Sequence, residues 1–333
     1  MTPITLITAD LHLSENPRDE YRFKFLDKLP KLLARYSVER LLILGDLTEE
    51  KDRHSGWLAN RIADQLQTIA RQCRIVILRG NHDYLDADYP FFAWLRHIEQ
   101  IEWINESLAD ATVKPKELFL PHTRNYEKDW PSPEWMEPAR IIFAHNTFTG
   151  AIGGSGRRLE GIPLDVFKPG QIVISGDVHV PQKLGPVTYV GAPYTIDFGD
   201  DYQPRVLILQ GSKLTSVRLK GPQKRLIETT WPIGDLWGDE LNLGDLVKLR
   251  IVLELAQLAD WSNIVKQAEK WADDKGVSLR SVVAIRPDGA RPVRSATTAP
   301  AQSDTELLEA YARRYGIADD IKRTGLKLLE QSE

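Results

Sequence analysis

Five short apolar runs in this 333-residue chain each end in residues able to bind a metal ion. "ITLITADLH" delivers Asp10 and His12, and "LLILGD" delivers Asp46. "IVILRGNHD" delivers Asn81, His82 and Asp83, "IIFAHN" delivers His145, and "IVISGDVH" delivers Asp177 and His179. Taken alone, an Asp-x-His after a strand is most often a turn or a helix cap, and Asn-His-Asp can be an Asx-turn. Five such tips in series, holding four of the seven histidines, are not what packing requires. Open α/β sheets bind ligands outside the carboxyl ends of their strands. Imidazole and carboxylate together suit manganese, iron or zinc. A carboxylate can bridge two ions, and an Asn amide oxygen is a neutral hard ligand. Two ions roughly 3.5–4 Å apart clamp the attacking and leaving oxygens of a phosphoryl group, and they lower the pKa of a bound water so that hydroxide exists near neutral pH. No serine or cysteine nucleophile is then needed. Residues two apart in an extended strand share a face, so Asp177 and His179 are expected to aim at one spot.

The elements that must position these tips follow from hydrophobic period. "ITLITA", "RLLILG" and "RIVILRG" read as buried strands, separated by "RFKFLDKLPKLLARY" and "SGWLANRIADQLQTIARQC" with the three- and four-residue spacing of helices. "YPFFAWLRHIEQ" reads as a further helix with Pro90 near its first turn. "RIIFAH", "QIVISG", "VTYVG", "RVLILQ" and "KLTSVRL" follow as strands with little helix between them. This order predicts a layered α/β domain with two packed sheets and helices outside. After about Leu219 a smaller pattern begins: strand "LVKLRIVLEL", helix "WSNIVKQAEKWADDKG" closed by Gly276, and strand "VSLRSVVAI". The expected organisation is a main domain over residues 1–219, a small β-α-β accessory domain over 220–286, a Pro/Ala/Ser/Thr-rich linker over 287–304 and a helical tail over 305–333.

Composition bounds the partners. The net charge of −4 argues against a generally basic nucleic-acid coat, though not against a local basic track. One cysteine, Cys73, excludes an internal disulfide and any multi-cysteine zinc site. The apolar start "MTPITLITADLHLS" is too short for a signal segment and lacks a basic beginning. No run approaches a membrane span. A cytoplasmic location without membrane contact is expected.

In their order, "DLH", "GDL", "GNHD", a later "AH" and "GDVH" resemble the motif set of the calcineurin-like metallophosphoesterases, over roughly Ile4 to Leu209. The resemblance implies a two-sheet αββα sandwich. It implies two divalent ions, manganese first, with magnesium, iron or zinc as alternatives. One ion would be held by Asp10, His12, bridging Asp46 and His179, and the other by Asp46, Asn81, His145 and Asp177. A hydroxide held by the metals would attack phosphorus, His82 would stabilise charge or protonate the leaving oxygen, and Asp83 would orient His82. The segment "GDVHVPQKLGPVTYVGAPYTIDFGD" is similar to the stretch after the last motif of SbcD-type DNA exonucleases. On that resemblance the accessory domain caps the nuclease domain, and the tail docks on an SbcC-type coiled-coil ATPase. There are two departures: the family has His where this chain has Asp177, and after Gly45-Asp46 the nuclease group has Leu or Val, then Phe and a polar residue, where this chain reads "LTEEKDRH", closer to generic phosphodiesterases and phosphatases. Aspartate is itself a ligand for hard divalent ions, and its charge should favour manganese or magnesium over zinc.

Further contacts are expected around these tips. "TFTGAIGGSGRRLEG" reads as a flexible glycine-rich loop that brings Arg157 and Arg158 to a phosphodiester backbone. "LPHTRNYEKDWPSPEW" brings His122, Arg124, Tyr126, Trp130 and Trp135, a mixture that can line a substrate groove or simply pack a long loop. "KGPQKR" (220–225) is a basic spot, usually a solvated face and sometimes a DNA contact. Three functions stand: a DNA exonuclease or endonuclease of the SbcD kind, an enzyme for small phosphoesters, or a non-catalytic scaffold for an ATPase. A homodimer is compatible with each.

Overall fold

The computed structural model describes residues 3–110, 116–154, 156–233 and 241–286. The linker and helical tail expected over 287–333 lie outside the described residues. The chain divides into two compact units, Met1–Val283 and Ala284–Glu333.

Two six-stranded sheets form the body of the first unit. The first contains β1 (Thr5–Thr8), β2 (Arg40–Leu44), β3 (Arg74–Leu78) and β4 (Ile101–Ile104), all parallel. In the second sheet β5 (Leu108–Asp110) pairs antiparallel with β6 (Glu117–Leu120), and β6, β7 (Ile141–His145) and β8 (Ile172–Gly176) run parallel. β9 (Gln182–Leu184) and β10 (Val187–Tyr189) complete it at the far edge, with β10 against β8. The chain then returns to the first sheet through β11 (Arg205–Gln210), antiparallel to β1, and β12 (Lys213–Arg218).

The apolar runs are continuous because both faces of their strands are buried. In β2, Leu41 and Ile43 turn outward to α1 (Glu20–Arg35) and α2 (Gly56–Ala70), where Phe23, Leu26, Leu29, Leu58, Ile62 and Leu66 cover them. Leu42 and Leu44 turn inward to meet Phe119, Ile141, Phe143 and Ile174 from the opposing sheet. The outer face of the second sheet is closed by Trp130, Met136, Phe148 and Phe167. A buried ion pair crosses between the sheets: Arg40 grips Glu117 through two hydrogen bonds of 2.7 and 2.8 Å. The expected two-sheet sandwich with outer helices is the observed architecture.

A three-stranded sheet follows, with β13 (Lys224–Thr230) parallel to β14 (Leu246–Val252) and β15 (Ser278–Ile285) next to β14. α3 (Tyr126–Asp129) and α4 (Pro133–Met136) are single turns, whereas α5 (Trp261–Lys275) is a full helix between β14 and β15. It buries Ile264, Ala268 and Ala272 at four-residue spacing and stops at Gly276, whose φ of +65° is the left-handed cap that glycine adopts without penalty. β13 was not legible, because only Ile227 of its residues is fully buried. The helix expected from "YPFFAWLRHIEQ" is instead a 3-10 segment, Phe91–His97, whose inward residues Phe92 and Leu95 are three apart, the 3-10 period. Among the described residues no helix is long and apolar enough to cross a membrane.

Candidate metal centre

The carboxyl ends of β1, β2 and β3 in one sheet meet those of β7 and β8 in the other. Once past those ends, the backbone turns sharply. Asp10, His12, Asp46 and Asp177 all take positive φ, at 55°, 44°, 54° and 78°. Such conformations cost an L-residue on the order of 1–2 kcal/mol each and collect at functional sites. They are held by exchange between tips: Asp10 N–H donates to the Gly45 carbonyl at 3.1 Å, His12 N–H to the Asp46 carbonyl at 2.9 Å, and Asp177 N–H to Asp10 Oδ1 at 3.0 Å. The motif glycines are there for closeness. A Cβ on Gly45 would lie 2.2 Å from His145 Nδ1, and one on Gly80 would lie 2.3 Å from Asp46 Oδ1.

Asp46 sits at the middle with its two oxygens facing different ligand sets. On one side, Oδ2 is 3.4 Å from His12 Nε2, which is 3.1 Å from His179 Nε2. Asp10 joins His12 and His179 within metal-ligand reach. On the other side, Oδ1 is 3.3 Å from His145 Nε2, and Asp177 Oδ1 is 3.8 Å from the same nitrogen. Asn81 Oδ1 is 2.9 Å from His145 Nε2, 3.1 Å from each Asp46 oxygen and 3.3 Å from Asp177 Oδ1. All seven residues expected as ligands therefore converge around Asp46, with Asp10 in reach both of His12 and His179 and of His145. Asp177 and His179 both reach this cluster, one on each side of Asp46. The left-handed turn at Asp177 breaks the strand's alternation, so Asp177 faces His145 and His179 faces His12.

This donor set fits divalent cations. The Asn81 oxygen is surrounded by acceptors, and the fully buried Asp10 Oδ2 has no hydrogen-bond partner. Buried oxygens facing only other acceptors need a cation. The electrostatics agree. Burial pushes the Asp10 carboxyl up to about 7, despite His145 and His179 nearby. Burial also acts upward on Asp46, but the charge and hydrogen bond of His145, helped by His12 and His82, outweigh it and hold Asp46 well below the usual range. His145 in turn is held well above its ordinary value, against its burial, by Asp46, Asp10 and Asp177. Burial drives His12 well below its ordinary value. The cluster thus concentrates negative charge and recruits positive charge to it.

A second ring of contacts orients the ligands. His145 Nδ1–H donates to the Leu44 carbonyl at 2.6 Å, which leaves Nε2 for the centre. His82 Nδ1–H donates to the Glu49 carbonyl at 2.6 Å, and its ring stands edge-on to His12, 4.8 Å between centroids. Asp83, expected to orient the His82 ring, does something else. Its carboxylate accepts from the N–H groups of Asp46, Leu47 and Gly80, and so clamps the tips of β2 and β3 together. It reaches His82 only through that backbone. Thr147 Oγ1–H donates to Asp177 Oδ2.

A cavity of about 790 Å³ opens over this cluster, lined among others by Glu49, Asn81, His82, Asp177, His179 and Lys224. Sequence reasoning missed Arg22 and Glu49, and held Lys224 only as part of the basic spot at 220–225. Buried Arg22 donates to the His12 carbonyl and, at 2.7 Å, to Glu49 Oε2, which stands 3.6 Å from His12 Nδ1. Nothing in the pattern of α1 distinguishes Arg22 from a surface cation. Glu49 alone carried a signal, lying three residues after Asp46. Arg157, Arg158, His122 and Arg124 do not line this cavity. Arg157 and Arg158 are exposed on a loop that is pinned rather than free: Gln182 exchanges two 2.8 Å hydrogen bonds with the Ile152 backbone, and Gly153 N–H donates to the Arg157 carbonyl. His122 and Arg124 line a neighbouring hollow of about 440 Å³ with Arg79 and Tyr84. The His122 ring is edge-on to His145, 6.2 Å between centroids.

An αββα sandwich carrying a carboxylate between two sets of imidazole and oxygen ligands at its strand ends defines a dinuclear-type metallohydrolase. The sequence profile described as calcineurin-like phosphoesterase matches residues 4–181, and the chain belongs to that family. Its ligand set is in keeping with the divalent metals such enzymes use. Among curated proteins, "Putative phosphoesterase 244L" of Invertebrate iridescent virus 6 is 27% identical over 206 residues, 57% of this chain and 69% of that protein. The likewise named 078R of Invertebrate iridescent virus 3 is 23% identical over 207 residues, 55% of this chain and 56% of that protein. Solved structures include an archaeal phosphodiesterase (TM-score 0.36, 13% identity, 65% of this chain and 99% of that one) and Pseudomonas putida nuclease MPE (TM-score 0.32, 19% identity, 64% and 72%). At such TM-scores neither likeness carries an argument about substrate.

Proposed function

We propose that this phosphoesterase hydrolyses phosphodiesters at the ends of DNA strands, in the manner of an SbcD-type exonuclease. The observation that supports two-ion chemistry is Asp46, whose oxygens face two separate ligand sets. Divalent ions there would supply Lewis acidity toward the phosphoryl oxygens and lower the pKa of a water. Asp10, His12 and His179 would hold one ion, Asn81, His145 and Asp177 the other, with Asp46 shared. His82 stands at the rim of the cavity with Nδ1–H committed to the Glu49 carbonyl. A proton on its Nε2 therefore makes the ring an imidazolium, which stabilises charge building on the phosphate. Delivery of that proton to the departing sugar oxygen returns a neutral ring with Nδ1–H still in place. Asp83 fixes the backbone from which His82 projects. DNA as the substrate rests on the resemblance of the segment after the last motif.

A second reading has its own support. Glu15, Glu50 and Asp197 line the cavity together with Arg53 and Lys224, and this acidic lining favours a small phosphoester over a long polyanion. The full chain assayed with manganese and with EDTA separates the two. Hydrolysis of bis-p-nitrophenyl phosphate and of end-labelled linear DNA, with closed circular plasmid untouched, is the expected result. Hydrolysis of the small diester alone would favour the second reading. His82→Ala should lower kcat by about 10²–10⁴-fold with metal content retained. Wild-type rates in that variant would overturn the mechanism.

A further inference from the structure

A groove of about 510 Å³ runs beside the catalytic cavity, between α1 and the segment that joins β12 to β13. Its lining holds Lys24, Lys28, Lys31 and Arg35 of α1 together with Arg218 and Lys220, and no Asp or Glu. All six cations are exposed. At 100° per residue the four helical ones fall within one arc of about 60°, a stripe along a single face. They span about 16 Å at a rise of 1.5 Å per residue. Among the described residues none of the six stands within ion-pairing distance of a carboxylate. Their own interactions are few: Lys24 acts through its charge on Glu20 one turn earlier, Lys28 donates to the Lys220 carbonyl at 3.4 Å, and Arg35 lies over the Tyr36 ring. Six cations gathered in one groove, on a chain of net charge −4, make a local positive field that attracts an anionic occupant. The floor beneath is apolar, built from Tyr21, Phe25, Leu32 and Tyr194.

The groove and the cavity adjoin through consecutive residues. Tyr21 lines the groove and Arg22 the cavity, and Gln223 lines the groove and Lys224 the cavity. α1 therefore carries its cations away from the metal centre, starting at the turn that supplies Arg22. We propose that this groove is a phosphate-backbone track for a nucleic-acid strand whose end is cleaved in the neighbouring cavity. This rests on the reading of DNA as substrate. It also removes the conflict between an acidic cavity and a polyanionic substrate, since the cations that hold the strand lie in the groove and only its terminal phosphodiester enters the cavity. A lone basic face is as a rule a solvated surface; the absence of close ion pairs and the continuity with the cavity argue for an occupant here.

The test compares the full chain with a Lys28→Ala, Lys31→Ala, Arg35→Ala variant, since alanine at exposed helix positions keeps the helix. Binding of a fluorescein-labelled single-stranded oligonucleotide is measured by anisotropy in EDTA across a salt series. The variant should show a slope of log affinity against log salt shallower by about two units, about 0.7 for each phosphate that the three side chains no longer neutralise. With manganese, its KM for linear DNA should rise at least tenfold, with kcat/KM for bis-p-nitrophenyl phosphate unchanged. Equal slopes and equal KM for DNA would overturn the track and leave the DNA reading standing. A wild-type protein that hydrolyses the small diester yet neither binds nor cuts DNA would overturn both. If polyglutamate displaced the strand and itself bound with the same dependence on these three residues, the occupant would be an acidic protein, and the track would fall.

Discussion

At the scale of single residues, the chemistry is decided by what each ligand faces. Asp177 stands where the resemblance leads one to expect a histidine, and it adds a carboxylate beside Asp46 and Asp10. Asp177→His should shift metal preference toward zinc relative to wild type, read as metal content after exposure to equimolar ions; unchanged preference would show that the extra charge is screened. His122 offers a pH readout. Burial first, and then the charge of His145, lower its pKa to about 3. The unfolded ring titrates near 6.5. Its neutral form therefore stabilises the fold above pH 6.5, and that contribution is lost as pH falls from 6.5 toward 3. Wild type should lose more of its urea resistance between pH 7 and 5 than His122→Gln does, and parallel losses would refute the assignment. The ligand residues were legible because strand ends followed by Asp or His stand out from apolar runs. Arg22 was not, because a buried arginine on an amphipathic helix has the same sequence signature as an exposed one.

At the scale of elements, the ligands come from two sheets, so the site depends on how the sheets are locked. Arg40 at the start of β2 and Glu117 at the start of β6 form that lock in a dry interior. Removing one partner strands the other as an uncompensated buried charge. Glu117→Ala should therefore destabilise by about 3–5 kcal/mol, while Arg40→Met combined with Glu117→Leu should recover most of the loss. Urea denaturation midpoints check both, and a mild effect of the single change would mean that water reaches Arg40. The strands of each sheet could be read from their continuous apolar runs, but this pairing could not. Seventy-seven residues separate the partners in sequence. The 3-10 segment at Phe91–His97 reads as an α-helix in sequence for a related reason. Its aromatic run suits either period, and packing of Phe91 and Phe92 on His54 selects the tighter one.

At the scale of the whole molecule, metal binding should be coupled to stability. A ligand bound only by the folded state adds about 2.7 kcal/mol at a concentration one hundred times its Kd. Manganese should raise the Tm of EDTA-stripped protein, and Asp46→Asn should abolish most of that rise; an equal rise in both would place the metal elsewhere. By itself the sequence determined the ligand types, the five strands that end in them and the two-sheet class of fold, because hydrophobic period and local motif chemistry are short-range properties. Only the tertiary structure decided that Asp177 sits at a left-handed turn, that Asp83 clamps the tips of β2 and β3, and that Glu49 and Arg22 stand beside His12. It alone gathered the scattered lysines of α1 into one groove with Arg218 and Lys220. These are consequences of chain reversal and sheet-on-sheet packing, which place residues far apart in sequence against one another by rules that no local window contains.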